Sequence, residues 1–146
     1  MEDLQRIDAA NRGIASAFAV LLALAGCGSE SVPVACKSGP AAIERALRRA
    51  PGDVRLDGRR LSDCFAPEGD SGDLQALGVS FLPAAQHLAD RRALVRLGFL
   101  IGAVHRGAAR APVYEELERR LRQELARVDA RSAAYRRGER AGRAHG

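Results

Sequence analysis

Tryptophan is absent from this chain of 146 residues, and the other aromatics amount to four phenylalanines and two tyrosines. Single-strand nucleic-acid binding leans on aromatic stacking platforms, so their scarcity counts against that class. No CxxC pair occurs among Cys27, Cys36 and Cys64, which sets a zinc site aside. A phosphate-cradling glycine loop of Walker type is missing. Asp70 and Asp73 do not repeat at the spacing of a calcium loop. Nor is there an apolar run of the ~20 residues that a membrane-spanning helix needs.

What is present is alanine and arginine. The hydrophobic share is 47%, but much of it is alanine, which buries little area, so the core is small and a covalent staple matters. The basic residues are arginines except Lys37, and the net charge is +5 with a pI near 9.8. That charge is unevenly placed. Residues 127–146 carry six arginines against Asp129 and Glu139, whereas residues 53–73 carry six acids against three arginines. Such a split describes a basic tail on a balanced domain and disfavours a uniform nucleic-acid-binding face.

The longest aliphatic run is IASAFAVLLALA, from Ile14 to Ala25, and it carries no charge. It is too short to span a bilayer and has the length of a signal-peptide apolar region. Arg12 precedes it, Leu24-Ala25-Gly26-Cys27 closes it, and the small polar residues Gly28-Ser29-Glu30-Ser31 follow. These residues resemble the lipobox and tether of bacterial lipoprotein precursors, over roughly the first 30 positions. The resemblance implies diacylglyceryl transfer to the Cys27 thiol, cleavage between Gly26 and Cys27, and often acylation of the new amino terminus. Two long acyl chains hold a protein on a membrane stably, at about 0.8 kcal/mol for each buried CH₂. One feature departs from the pattern: Glu2, Asp3 and Asp8 offset Arg6 and Arg12, where signal peptides carry a positive start. A competing reading also exists. Leu4, Ile7, Asn11, Ile14, Phe18, Leu21 and Ala25 recur at helical spacing, as in a buried helix ending at Gly26.

With Cys27 assigned to the anchor, Cys36 and Cys64 remain, an even number in an oxidising compartment. Paired, they close a loop worth about 3.5 kcal/mol in the chain-entropy model. The alternative is Cys64 as a nucleophile with His87 or His105, although no local pattern marks it.

The remaining chain reads as helices with short links. A first helix follows Pro40, with Ser38 as its cap and Ile43 and Leu47 as its apolar stripe, and stops at Pro51-Gly52. Val54, Leu56 and Leu61 around Asp57-Gly58 suit a short hairpin or a tight loop. Leu74, Leu77, Phe81, Ala85 and Leu88 mark a second helix, which Pro83 should kink or split near Leu82. ALVRLGFLIGAV, from Ala93 to Val104, is apolar on nearly all sides and predicts a buried helix. Its Gly98 and Gly102 suit close packing in a soluble core. Tyr114, Leu117, Leu121, Leu125 and Val128 give a last helix extending toward Tyr135, with Glu115–Arg119, Glu116–Arg120 and Glu118–Arg122 pairs. RRGERAGRAHG then reads as a frayed basic end.

The expected architecture is an all-α bundle of about four helices with one disulfide-pinned loop. The expected divisions are a signal peptide (1–26), an anchor and tether (27–37), a helical domain (38–130) and a basic tail (131–146). No catalytic, cofactor or metal constellation emerges. The function this implies is a binding or scaffolding module on the outer face of a bacterial cell membrane, held by lipid on Cys27. Its Arg-rich tail would meet an envelope protein or an anionic surface. A cytosolic basic helical protein, or an envelope enzyme with a scattered site, are the alternatives.

Overall fold

The computed structural model describes residues 31–146. The signal segment, the lipobox Leu24–Cys27 and their helical alternative lie outside the described residues. Five α-helices follow in order: α1 (Pro40–Ala46), α2 (Ser71–Asp90), α3 (Leu94–Ala108), α4 (Glu115–Gln123) and α5 (Ala133–His145). Among the described residues no strand forms, and the protein is a small all-α bundle as its periodicity predicts.

The cap of α1 differs from expectation. Ser38 turns back, donating from Oγ to the Val34 carbonyl at 3.0 Å, and Gly39, at φ 86°, occupies the cap position instead. The free Gly39 N–H donates to Oγ of Ser80, a fully buried hydroxyl on α2 (3.1 Å). A buried polar group is tolerated when bonded, and this one ties α1 to α2. Ile43 and Leu47 are fully buried, and Pro40 sits at the first helical position, where its missing N–H costs nothing.

Asp57-Gly58 makes a reverse turn closed by paired backbone bonds between Leu56 and Arg59 (2.8 and 3.1 Å). Both central residues have positive φ, 51° and 74°, the conformation for which Asp-Gly is suited. The tight-loop reading therefore holds, with Val54, Leu56 and Leu61 buried around it.

α2 starts at a reciprocal cap. The Asp73 N–H donates to the Asp70 carboxylate at 2.9 Å, and the Asp70 N–H reaches the Asp73 carboxylate at 3.4 Å. It then runs unbroken to Asp90 with Pro83 inside it, contrary to the expected split. The ring of Pro83 removes a bond to the carbonyl of Val79, a residue on the solvent side of the helix and 64% exposed. Leu77, Phe81, Ala84, Ala85 and Leu88 hold the buried side on both flanks of the proline.

α3 is the central helix, buried from Leu97 to Val104. The few aromatics gather against it. Phe65 meets Phe81 and Tyr114 edge to face, with centroids 5.7 and 5.1 Å apart, an arrangement that ring quadrupoles favour.

The clearest correction concerns the carboxyl-terminal end. α4 stops at Gln123, and the chain turns at Val128 in extended conformation. Asp129 accepts from the Arg131 N–H (2.9 Å), and Ser132 caps a new helix by accepting from the Tyr135 N–H (3.2 Å). The residues expected to fray form α5, which makes the most extensive helix contact among the described residues, against α3. Glycines explain why. Gly98 and Gly102 of α3 lie on the backbone of Tyr135, Glu139 and Arg143, while Gly138 and Gly142 of α5 lie on Val95, Phe99 and Ala103. Rising residue numbers match on both sides, so the two helices run parallel. Without side chains between them, their backbones approach closely enough for extensive dispersion contact.

Candidate functional site

One end of the bundle holds the expected disulfide. Cys36 lies in the short turn Val34–Lys37, and Cys64 in the turn Leu61–Cys64. Their sulfurs are bonded, with Cα atoms 5.7 Å apart, and both residues are buried. The bond removes the alternative of Cys64 as a nucleophile, because that sulfur has no free thiolate to offer.

Beside the bridge, Ser31, Val32 and Pro33 line a cavity of about 550 Å³ with Arg59, Asp63, Phe65 and Arg110. The first described residues, Ser31 to Pro33, therefore join the fold at this cavity. Val32 is buried there, whereas Val34 is 80% exposed and stands at the rim. The end of α5 lies alongside. Ser62, buried, donates from Oγ to the Gly146 carbonyl oxygen at 2.6 Å. Arg106 of α3 donates to the carbonyls of Arg143 and Ala144, a cation placed on the negative end of a helix. His145 packs edge to face on Phe99 and meets the Pro51 carbonyl at 3.2 Å.

α5 presents arginines outward. Arg136, Arg137 and Arg140 are exposed and make no ion pair among the described residues. Arg143 alone is paired, with Glu139 at 3.0 Å.

The two internal histidines belong to separate networks. His87 Nδ1 meets Glu44 at 2.8 Å, and Arg91 meets the same carboxylate at 3.1 Å. His105 Nδ1 meets Glu118 at 2.7 Å, and Arg122 donates to Glu118 at 2.7 and 3.0 Å. Partial burial pushes the Glu118 carboxyl up, but the bonds and charges of His105 and Arg122 outweigh it and hold it below the usual range. A cavity of about 330 Å³ opens beside this pair, lined by His105, Ala108, Ala111, Pro112 and Glu115 among others, with no hydroxyl or thiol in its wall. The wall thus offers the His–Glu pair no side-chain nucleophile.

Of the three expected surface pairs on α4, Glu116–Arg120 and Glu118–Arg122 form. Arg119 turns to Glu116 in place of Glu115. Hydrogen bonds from Arg119 and Arg120 hold the Glu116 carboxyl down to about 2. An apolar groove of about 520 Å³ runs between Leu74, Gly78, Val79, Leu82 and Pro83 of α2 and Leu117 of α4.

No known family, characterised protein or solved structure matches the chain. Its function has to be read from its own residues. Among the described residues, no three His, Cys, Asp or Glu side chains are grouped to hold a metal. No helix among them is long and apolar enough to cross a membrane. Asp70 and Asp73 are spent on capping α2.

Sequence reasoning missed the docking of α5 and its arginine face. The signals were there: Ser132 as a cap, and Gly138 and Gly142 at the same spacing as Gly98 and Gly102.

Proposed function

We propose that this is a lipid-anchored protein of the bacterial cell envelope, whose helical domain is a binding or scaffolding module on the outer face of the membrane. The observation that carries the reading is the division of the cysteines. Cys36 and Cys64 are bonded to each other, which leaves Cys27 alone, at the end of an apolar run and inside Leu24-Ala25-Gly26-Cys27. A buried structural disulfide suits an oxidising compartment, and the lipobox supplies the route there. The membrane is the first partner, through acyl chains on Cys27. The Arg-rich end, now a rigid helix, is the surface offered to a second.

Detergent partition tests the reading. In a host that processes lipoproteins, the wild-type chain enters the detergent phase, and Cys27→Ser stays in the aqueous phase or as uncleaved precursor. A wild-type chain found uncleaved and aqueous would refute it and favour the cytosolic alternative.

A further inference from the structure

α2 carries two apolar stripes, and its own domain covers one of them. Leu77, Phe81, Ala85 and Leu88 are buried in the core. A second stripe recurs at steps of three and four from Ser71 to Gln86 and lines the groove of about 520 Å³ beside Leu117 of α4. None of its eight positions on α2 is charged, in a chain that is 28% charged. Val79, at its middle, is one of two large apolar side chains left exposed among the described residues. A hydroxyl and amides frame this apolar centre, the layout of a protein interface with a dry middle and a polar rim.

The order of side chains along the stripe identifies the partner. A two-fold axis passing between Gly78 and Val79 sets a second α2 antiparallel on the first. Val79 of each copy then lies over Gly78 of the other, a knob over a position without a side chain. That position is open on its own chain, because a carbon added to Gly78 would touch only a Leu82 methyl, at 3.8 Å. Leu74 falls opposite Pro83, Gln75 opposite Leu82, and Ser71 opposite Gln86 at both ends. Every position meets another of the same stripe, which is the self-complementarity that a two-fold interface requires. The charges outside the stripe agree. Glu68 and Asp70 are exposed just before α2, and Arg91 and Arg92 are exposed just after it. Antiparallel copies place the acids of one beside the arginines of the other and set opposite helix dipoles side by side. A parallel pairing would bring like charges together and Val79 against Val79.

We infer that two copies of this chain pair through this face, α2 against α2 in antiparallel order about Gly78 and Val79, each copy filling the groove of the other. The inference goes beyond the anchored reading and does not depend on it. Contact between two helices makes a small interface, so the dimer dissociates, with a Kd on the order of 10 µM.

Sedimentation equilibrium of the full chain carrying Cys27→Ser, over a concentration series, reads the association. A monomer–dimer equilibrium is expected in that range. Val79→Arg should weaken it by about a hundred-fold or more, because like charges then meet at the axis. Val79 is exposed in the single chain, so the circular dichroism of this variant should match that of its parent. Val34→Arg adds the same charge at the other exposed valine and should leave the association unchanged. Ser71→Glu with Gln86→Lys keeps the net charge and should tighten the pairing, since each new acid faces the new lysine of the other copy. A chain that stays monomeric throughout the series would overturn the inference. So would a Val79→Arg chain that associates as its parent does, the result expected if the apolar run from Ile14 to Ala25 were what joins the copies. Weaker pairing of the Ser71→Glu/Gln86→Lys chain would overturn the antiparallel order. Detergent partition of the wild-type chain reads the anchor separately, so failure of the anchor and failure of this surface are told apart.

Discussion

Replacing Gly138 with alanine changes stability in a direction that depends on whether α5 is docked. In a solvated or fraying helix the substitution is favourable, by about 1 kcal/mol, because glycine is the poorer helix former. In the structure the new methyl group would meet the Val95 carbonyl and the Phe99 N–H, the latter 2.9 Å from the added carbon. Those are backbone atoms inside α3 and cannot rotate away, so the helices must separate. Overpacking of this kind costs roughly 1–3 kcal/mol. It also loosens the contacts along Gly98, Gly102 and Gly142, which gives an expected net destabilisation of about 1–2 kcal/mol. Gly78 of α2 supplies the control. Its added carbon would lie 3.8 Å from a Leu82 methyl, an ordinary contact, so Gly78→Ala should stabilise. Thermal unfolding followed by circular dichroism reads both, with a melting shift of roughly 4 °C for each kcal/mol in a domain of this size. If Gly138→Ala stabilises as Gly78→Ala does, the parallel α3–α5 packing is wrong.

Three further outcomes follow from the same contacts. Replacing Cys36 and Cys64 together by alanine should lower unfolding stability by about 3.5 kcal/mol, with reductant producing a comparable loss in the wild type alone. Tyr135 is buried with an unbonded hydroxyl, and burial followed by the Glu139 charge pushes its pKa up to about 12. Tyr135→Phe therefore removes a desolvated polar group, and calorimetry should find it unchanged or stabilised by up to about 1–2 kcal/mol. Glu118 is held below the ordinary 4.5, so the stability it contributes is present above that pH and lost as pH falls through the lower folded value. The stability gap between wild type and Glu118→Gln should accordingly close as urea titrations move from about pH 6 to about pH 3.

Much of the fold is legible where the apolar period is unbroken. Leu77, Phe81, Ala85 and Leu88 announce α2, and the near-continuous run from Leu97 to Val104 announces a central helix. The pairing of Cys36 with Cys64 follows from counting thiols once Cys27 is set apart. What escapes is packing that uses little side chain. α5 has Tyr135 as its only large buried side chain, so neither periodicity nor hydropathy marks it as part of the core. Its docking depends on glycines from two segments facing each other, a relation between distant stretches of sequence. Pro83 misleads for a related reason: a proline disrupts its own turn, but burial on both flanks holds the helix together. The site is legible in kind and not in place. The arginines stand out in composition, but only the folded α5 arrays Arg136, Arg137 and Arg140 on one rigid face.

The most direct test of the anchored reading is the intact mass of the chain purified from the membrane of a lipoprotein-processing bacterium, with and without reductant. The account predicts a species that begins at Cys27, carries acyl increments and gains two hydrogens on reduction of the Cys36–Cys64 bond. A full-length, unacylated chain in the soluble fraction, with both thiols free, would contradict it.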